Sequence, residues 1–394
     1  MHKNVALVVT LTAFALAACS EPSAPRAAAP APDVPGPSFD KKDKEIPGQY
    51  IVVFNDDVSD VDDKVAKKLT KSAGKLKHTY KHALKGFAAE LTDAEVAELR
   101  ADPQVAYVEA DQEMSIDATQ SNATWGIDRI DQRSRPLSGT YTYNTTASTV
   151  YAYIIDTGIL TAHTQFGGRA TNVYDAFGGN GQDCNGHGTH VAGTVGGSTY
   201  GVAKGVRLRG LRVLNCSGSG STSGIIAAVD WVRANRTNPA VANMSLGGGY
   251  SSALNTAVNN LSNSGVFVAV ASGNSNANAC NYSPASASAA TSVNASTSTD
   301  AKASFSNYGS CTHIYAPGAS ITSAWHTSTS ATNTISGTSM ASPHVAGVAA
   351  MYKAVNGNAA SSTIRTWLIN NSTANVITGN VSGTPNRLLF KSTL

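Results

Sequence analysis

The chain has 394 residues, more than one ordinary domain needs, which predicts two folded units with tails. Apolar residues make up 42% of it, enough for a large core, and charged residues only 14%. With a net charge of +3 and no dense Lys/Arg cluster beside aromatic residues, the sequence gives no reason to expect a nucleic-acid partner.

The N-terminus has the pattern of an export signal. Lys3 supplies a positive charge, and residues 5–18 are apolar but too short a run to span a bilayer comfortably. The run ends in Leu-Ala-Ala-Cys, which resembles a bacterial lipobox, so residues 1–19 are expected to be a lipoprotein-type signal with Cys19 as the lipidation site. An ordinary signal peptide that happens to contain a cysteine is the alternative. No later segment is long and apolar enough to predict a transmembrane helix.

A linker and a small domain follow the signal. Residues 20–46 are rich in Pro and Ala, cannot bury a core, and are expected to be extended. Residues 47–117 predict a small α+β domain, in which Thr92 and Glu95 form a capping box at a helix start. Its predicted elements are a strand (50–54), a helix (60–72), a strand (85–91), a helix (92–100) and a strand (104–109).

The remainder, residues 118–394, has the pattern of an α/β domain. Nearly continuous apolar runs predict strands that are buried on both faces, at 150–155, 206–213, 241–246 and 266–271. Between them, apolar residues at helical spacing predict helices at 223–235 and 251–264. Alternating strands and helices predict a mostly parallel sheet with helices on both faces.

Three polar residues lie where such a fold forms sites. Asp156 ends a buried strand, whereas His187 and Ser339 each lie at the start of a predicted helix. Sites in open α/β sheets form beyond the carboxyl ends of the strands, so these residues could converge. A Ser hydroxyl needs a base to become a nucleophile, a His has the right pKa for that base, and a buried Asp orients the imidazole. The chain order Asp, His, Ser is one of three orders known for this geometry.

The motifs around these residues are specific in combination. They read Asp-Thr-Gly at 156–158, His-Gly-Thr-His-Val-Ala-Gly-Thr at 187–194 and Gly-Thr-Ser-Met-Ala-Ser-Pro-His at 337–344. The large domain resembles the subtilisin-like peptidases, specifically the proteinase K branch, and is most similar to aqualysin-type enzymes. The small domain resembles their inhibitory propeptide. This resemblance implies a three-layer subtilisin-like fold and a secreted serine endopeptidase that acts on proteins and peptides. It also implies a zymogen that processes itself, without a cofactor for catalysis.

The resemblance also implies roles for individual residues. Asp156, His187 and Ser339 match the catalytic triad, and Asn274 matches the side chain that binds the developing oxyanion. Six residues match the two edges of the substrate cleft: Gly218, Ser219, Gly220, Ser245, Leu246 and Gly247. The S1 pocket would be walled by Ser272 and Gly273. Because no charged residue falls on these segments, an apolar or aromatic P1 residue is expected.

Four cysteines follow Cys19: Cys184, Cys216, Cys280 and Cys311. Four thiols in an exported protein predict two disulfides, for which three pairings exist. The resemblance implies the pairs Cys184–Cys216 and Cys280–Cys311. Zinc ligation by the same thiols is the alternative.

Calcium sites of the related family are only partly matched. The family's strong site uses an Asp where His313 stands, and a neutral imidazole is a poor ligand for a hard cation. Asp128, Asp131 and Gln132 match a second, N-terminal site. Its further acidic positions hold Ser138 and Thr140. The resemblance therefore implies structural calcium at Asp128, Asp131 and Gln132 in a weakened form.

Other function classes fit less well. Residues 337–341 resemble the serine turn of lipases and esterases, but those enzymes place the Ser before the Asp and His. His187 and His190 are spaced like a metal pair, yet no third ligand stands nearby in the sequence. A catalytically inactive subtilisin-fold lipoprotein that only binds is the remaining alternative. Loss of triad or oxyanion residues would be expected in such a protein, and all four are present.

The order of the segments predicts how the protein matures. A lipid on Cys19 would hold the precursor at a membrane, and cleavage near residues 113–118 would release the catalytic domain. The precursor is thus expected to be an extracytoplasmic lipoprotein, and the mature enzyme a secreted monomer with its own propeptide as inhibitor.

Overall fold

The computed structural model describes residues 45–69, 75–112 and 118–394. The chain divides into two compact units between Met114 and Ser115. The predicted signal, lipidation site and most of the linker lie outside the described residues, as do residues 113–117, so the boundary after residue 117 stays a prediction. Within the described ranges, no helix has the length and apolarity needed to cross a membrane.

The N-terminal unit is an antiparallel sheet covered by two helices. Its elements are β1 (Glu45–Phe54), α1 (Val61–Leu69), β2 (Leu76–Tyr80), β3 (Gly86–Glu90), α2 (Asp93–Arg100) and β4 (Val105–Gln112). The strand order is β2-β3-β1-β4. Phe54 and Phe87 from the sheet pack with Val65 of α1 and Leu99 of α2 in one core. The predicted α+β domain is confirmed.

The sequence prediction of this unit differs from the structure in one place, an additional strand. The capping box at Thr92 is present, with Thr92 N–H donating to the Glu95 carboxylate at 2.7 Å. The prediction had three strands, however, and β2 is a fourth. Its first three residues are exposed and the other two half-buried, so it lacks the alternation that marks a strand. Helix α1 is described as far as Leu69, and the last three residues of the predicted helix, 70–72, lie outside the described residues.

The C-terminal unit contains the remaining elements. In chain order these are β5 (Ala118–Ser121), α3 (Trp125–Asp131), β6 (Thr140–Tyr143), β7 (Tyr151–Asp156), β8 (Ala170–Asp175), α4 (His187–Gly196), β9 (Arg207–Arg212), α5 (Thr222–Asn235), β10 (Ala240–Met244), β11 (Gly248–Gly249), α6 (Ser252–Asn263), β12 (Phe267–Ala271), β13 (Tyr282–Ser283), β14 (Thr291–Ser296), β15 (Ile314–Pro317), β16 (Ile321–Ala324), β17 (Thr332–Ile335), α7 (Thr338–Asn356), α8 (Ser361–Asn371), β18 (Thr373–Ala374) and β19 (Arg387–Leu388). Nine strands form one sheet in the order β18-β19-β15-β14-β12-β10-β7-β9-β8, parallel at every pair except β18–β19.

The sheet lies between two apolar cores, which gives three layers. Ile154 of β7 packs into a core with residues of α4 and α7, and the next residue, Ile155, packs into the opposite core with residues of α5 and α6. Both side chains are fully buried, which stabilises the fold by roughly 1.5–3 kcal/mol for each. This is why the strands read as continuous apolar runs. The predicted three-layer, mostly parallel α/β fold is confirmed.

This topology positions the polar residues. The parallel strands β7, β10 and β12 are neighbours, so their carboxyl ends meet at one edge of the sheet. Asp156 is the last residue of β7, Ser245 follows β10, and Ser272 follows β12. Helices α4 and α7 begin at His187 and Thr338 respectively.

Candidate active site

Asp156 and His187 form a hydrogen-bonded pair at the end of β7. Asp156 is fully buried, and its Oδ1 accepts from the Thr157 N–H at 2.7 Å and lies 2.8 Å from His187 Nδ1. The carboxylate oxygen can only accept, so His187 Nδ1 carries the proton and Nε2 keeps its lone pair. The His187 side chain is 26% exposed, so a substrate can reach this basic nitrogen.

The charge around His187 is set by its surroundings. Burial by itself would lower the pKa of His187, but the charge and hydrogen bond of Asp156, with a further contribution from Asp183, raise that pKa above 6.5. The same interactions stabilise the imidazolium that forms when His187 takes a proton. The residue is therefore placed to accept a proton and later return it.

Asp183 is a residue that the sequence analysis missed. It is buried, and its Oδ1 accepts from the N–H groups of Asn185 and Gly186, both at 2.9 Å. Its Oδ2 accepts from Thr189 N–H at 2.9 Å in the first turn of α4. Asp183 thus holds the segment that presents His187 and adds negative charge at a helix N-terminus. The sequence signal that could have identified Asp183 is its position, four residues before a His at a predicted helix start.

Gly188 allows the start of α4 to approach the segment 156–158 closely. A Cβ placed on Gly188 would lie 2.1 Å from the Gly158 carbonyl oxygen, which no side chain tolerates. The Gly188 N–H donates to Thr157 Oγ1 at 2.8 Å. The Asp-Thr-Gly and His-Gly motifs therefore fit together as two touching backbone segments.

Ser339 lies in the first turn of α7 beside the segment that follows β10. Its Oγ donates to the Ser245 carbonyl oxygen at 3.2 Å, and Ser245 Oγ donates to the Ser339 carbonyl oxygen at 2.7 Å. Asn243 Nδ2 donates to Ser245 Oγ at 2.8 Å and fixes that hydroxyl. Before reaction the Ser339 hydroxyl has to turn towards His187 Nε2, an adjustment common to sites without substrate.

Asn274 and the Ser339 backbone present two donors to one region. Asn274 Oδ1 accepts from Thr338 N–H at 2.8 Å and from Thr338 Oγ1 at 2.9 Å. The Thr338 N–H can only donate, so the side-chain atom of Asn274 that faces it must be the oxygen. The Asn274 Nδ2 group therefore points away from Thr338. A Cβ placed on Gly337 would lie 3.5 Å from both Asn274 Nδ2 and Ser339 N. The two N–H donors therefore border the same space.

Asn307 holds the loop that carries Asn274, and the sequence analysis gave it no role. Asn307 is fully buried, its Oδ1 accepts from Ser275 N–H and Ala277 N–H at 3.0 Å each, and its Nδ2 donates to the Ser272 carbonyl oxygen at 2.8 Å. Gly273 has a φ of +106°, and a Cβ there would lie 2.3 Å from Asn307 Nδ2. No periodic pattern marks a residue of this kind, because its partners are backbone groups thirty positions away.

Two cavities border these residues. One, of about 480 Å³, is lined by His187 and by all six residues predicted to form the cleft edges, Gly218, Ser219, Gly220, Ser245, Leu246 and Gly247. The other, of about 260 Å³, is lined by Ser272, Gly273, Asn274 and Ser339, among others, and no charged residue lines it. Leu246 and Gly247 line both cavities, so the cavity at His187 and the cavity at Ser339 share a wall.

The disulfide between Cys184 and Cys216 supports this region. Cys184 is bonded to Cys216 and Cys280 to Cys311, which is the pairing that the resemblance implies. The first joins the segment before His187 to the segment before Gly218, and Asn185 Nδ2 adds a hydrogen bond to the Cys216 carbonyl oxygen at 3.0 Å. Its loop of 32 residues stabilises the fold by about 3–4 kcal/mol in the chain-entropy account.

Three other histidines have structural positions. Burial lowers the pKa values of His190, His313 and His344 to about 4, so all three are neutral at physiological pH. His190 Nε2 lies 3.0 Å from the Ile321 carbonyl oxygen, and His344 Nδ1 lies 2.8 Å from the Met340 carbonyl oxygen. In the described ranges, no cluster of three or more His, Cys, Asp or Glu residues is arranged to hold a metal ion.

The residues matched to the N-terminal calcium site do not fit that ion. Asp128 Oδ1 accepts from both the N–H and the Oγ of Ser138, at 3.2 and 3.0 Å. Gln132 Oε1 accepts from the same N–H at 3.0 Å, and Asp131 Oδ1 forms an ion pair with Lys391 at 3.1 Å. Calcium needs six to eight oxygen ligands, and here donor hydrogens already occupy the three candidate side chains.

Comparison with known proteins agrees with this geometry. Residues 148–388 match the subtilase family, and residues 49–117 match peptidase inhibitor I9. The chain belongs to the subtilase family.

Individual relatives are similar over most of their length. The "Extracellular serine proteinase" of Thermus sp. (strain Rt41A) is 50% identical, over 98% of this chain and 99% of the relative. The "Alkaline serine exoprotease A" of Vibrio alginolyticus is 47% identical, over 80% of this chain and 60% of the relative. The crystal structure of a cold adapted subtilisin-like serine proteinase is 51% identical, with a TM-score of 0.67 over 70% of this chain and 99% of that chain.

These findings establish the class of the protein. It is a subtilisin-like serine endopeptidase of the extracytoplasmic type with an inhibitor-type propeptide, and its chemistry needs no catalytic cofactor. The predicted resemblance and enzyme class are confirmed. Nothing in the comparisons supports the inactive binding lipoprotein.

Proposed function

We propose that Asp156, His187 and Ser339 are the catalytic triad of this endopeptidase and that Asn274 completes its oxyanion hole. The observation that carries the proposal is the 2.8 Å contact between Asp156 Oδ1 and His187 Nδ1. It fixes the tautomer in which Nε2 is the base, at a cavity that is also lined by Ser245, a hydrogen-bond partner of Ser339. A neutral, correctly oriented imidazole is what activation of a serine hydroxyl requires.

The geometry supports a two-stage acyl transfer. His187 Nε2 takes the hydroxyl proton as Ser339 Oγ attacks the scissile carbonyl carbon, and Asp156 stabilises the resulting imidazolium. The Ser339 N–H and Asn274 Nδ2 bind the oxyanion of the tetrahedral intermediate. The intermediate collapses, His187 gives its proton to the leaving amine, and an acyl-enzyme remains. A water molecule then repeats the attack, which releases the acid product and restores Ser339.

The cleft supports recognition of extended chains. The segments 218–220 and 245–247 face one cavity, and a substrate backbone can pair between them as an added strand. Ser272 and Gly273 would wall the S1 pocket. Because the smaller cavity has no charged lining residue, we expect apolar or aromatic P1 side chains to be preferred over Lys and Arg.

Maturation follows from the order of the segments. We assign residues 1–19 as a lipoprotein-type signal with its lipid on Cys19, 20–46 as a linker, 47–117 as the propeptide and 118–394 as the catalytic domain. Cleavage near residues 113–118 would free a monomeric enzyme from the membrane. Mature enzyme that still fractionates with membranes after the propeptide is lost would contradict the anchoring scheme.

Hydrolysis of unfolded casein tests the proposed triad. Purified wild-type protein should degrade casein and convert itself to mature size on a gel. Its Ser339→Ala variant should do neither, because loss of the serine of a subtilisin costs about 10⁶ in kcat. Equal activity in both proteins would remove Ser339 from the mechanism. A folded wild type that neither cuts casein nor loses its propeptide would refute the proposal as a whole.

A further inference from the structure

His313 and two arginines, Arg365 and Arg387, form a cluster where the family resemblance implies an acidic calcium ligand. His313 Nδ1 accepts from the Ser292 N–H at 3.1 Å, so this nitrogen carries no proton and the ring is neutral. Two guanidinium groups, those of Arg365 and Arg387, lie close enough to act on its charge state. Within the described parts of the chain, neither arginine forms an ion pair with a carboxylate. A divalent cation would therefore be repelled from this cluster.

Arg365 supplies a cation of its own here. Its NH1 group donates to the carbonyl oxygens of Ser288 and Ala290, at 2.7 and 3.3 Å. Two backbone carbonyls that converge on one point are the kind of hard oxygen ligands that calcium uses. The guanidinium of α8 satisfies both of them and ties that helix to the segment before β14.

Lys391 also supplies a side-chain cation, here beside Asp131 of helix α3. Its side chain is 3% exposed, and its Nζ lies 3.1 Å from Asp131 Oδ1. The same ammonium donates to the Ser392 oxygen at 3.1 Å and to the Leu394 oxygen at 3.0 Å. Asp131 is one of the residues matched to the N-terminal calcium site, so a side-chain cation stands beside an implied metal ligand for a second time.

We propose that Arg365 and Lys391 are built-in cations that replace calcium at these two positions, so that the stability of the catalytic unit does not depend on the metal. An internal cation is present at a fixed local concentration. A bound ion instead stabilises a fold only in proportion to the logarithm of its free concentration above its Kd. For an enzyme working outside the cell, this removes the dependence of stability on dissolved calcium.

Thermal unfolding with and without metal tests the proposal directly. Mature enzyme, treated with a sulfonyl fluoride to stop self-digestion, should melt at the same temperature in EDTA and in millimolar calcium. A Tm that calcium raises by several degrees would overturn the proposal. The readout does not involve activity, so it remains informative whichever residue proves to be the nucleophile.

Substitutions at Arg365 test the replacement itself. Arg365→Met should lower Tm by about 5 °C, because two carbonyl groups lose their donor. The double variant His313→Asp/Arg365→Met puts a carboxylate beside the emptied carbonyls and should gain a calcium-dependent rise in Tm. Arg169→Met is the matched control, since Arg169 donates to the Val206 and Gln165 carbonyls at 2.8 and 3.0 Å. It should lower Tm without creating a calcium response.

Lys391→Met keeps the test decisive if the double variant does not fold. It leaves Asp131 and two further oxygens without their ammonium group, and calcium should then raise Tm. An unchanged Tm in Arg365→Met would refute its role as a clamp. Failure of both Lys391→Met and any folded double variant to respond to calcium would refute the replacement of a metal.

Discussion

Asn274 allows donor and acceptor roles in the active site to be separated. Aspartate has nearly the same shape as asparagine and keeps an oxygen for Thr338 N–H and Oγ1, which Asn274 Oδ1 accepts at 2.8 and 2.9 Å. Asn274→Asp therefore preserves the start of α7 and removes only the Nδ2 donor. Loss of one such donor costs about 10²–10³ in kcat, or 2.7–4 kcal/mol. The added negative charge opposes the oxyanion, so we expect a loss at the upper end of that range.

Steady-state kinetics on a peptide anilide with an apolar P1 residue measure the effect. The donor acts on charge that develops in the transition state, so kcat should fall while KM changes little. Thr338→Val is the control, because it leaves Nδ2 in place and removes only the two hydrogen bonds of Thr338 Oγ1, which donates to Asn274 Oδ1 and accepts from Gly273 N–H. It should lower kcat by at most about thirtyfold, the equivalent of two hydrogen bonds of about 1 kcal/mol each.

Two results would refute this reasoning. If kcat of Asn274→Asp stays within tenfold of the wild type, Nδ2 does not bind the oxyanion. If Thr338→Val loses as much as Asn274→Asp, the hydrogen bonds to Thr338 position the turn and the Nδ2 donor has no separate role.

Three further predictions follow. The acidic limb of the kcat/KM profile should lie above pH 6.5, because His187 has a raised pKa and is protonated, and therefore inactive as a base, below that pKa. Asp183→Asn should move the limb to lower pH. A limb that does not move would contradict the contribution of the Asp183 carboxylate to the pKa of His187. Asn307→Leu leaves two N–H groups and a carbonyl without a partner. We therefore expect kcat to fall at least tenfold and Tm, measured by calorimetry, to fall by several degrees. An unchanged kcat in folded protein would exclude a positioning role for Asn307. Cys184→Ser/Cys216→Ser should lower the free energy of unfolding by about 3–4 kcal/mol in urea titration, and an unchanged midpoint would show that the bridge does not stabilise the fold.

The sequence predicts those features that depend on local pattern. The buried run ending at Asp156, the helix starts at His187 and Ser339, and the capping box at Thr92 all lie where their patterns place them. Each of these depends on residues within about one turn or one strand. Apolar runs and helix-start motifs can therefore be identified from the sequence without any tertiary information.

Features that depend on distant partners were not predictable in the same way. Asn307 bonds to backbone groups around thirty residues earlier, and Arg365 donates to carbonyls about seventy-five residues earlier. The exposed strand Leu76–Tyr80 was missed for a different reason, since it is a sheet edge with little apolar burial. The sequence shows that His313 stands where the related family has an Asp. It does not show that Arg365 binds carbonyl groups in the same region.

The two histidines of the first turn of α4 show why tertiary contact decides function here. His187 and His190 share a helix, and burial acts to lower the pKa of both. The β7 carboxylate reaches only His187 and reverses the effect there, whereas His190 Nε2 faces the Ile321 carbonyl oxygen and its pKa falls to about 4. Their spacing resembles that of a metal pair, although no third ligand stands nearby in the sequence. The surroundings of the two residues differ because Asp156, at the carboxyl end of β7, contacts only the first histidine of the helix. This contact gives His187 the environment of the base that we propose, and His190 remains a neutral structural contact.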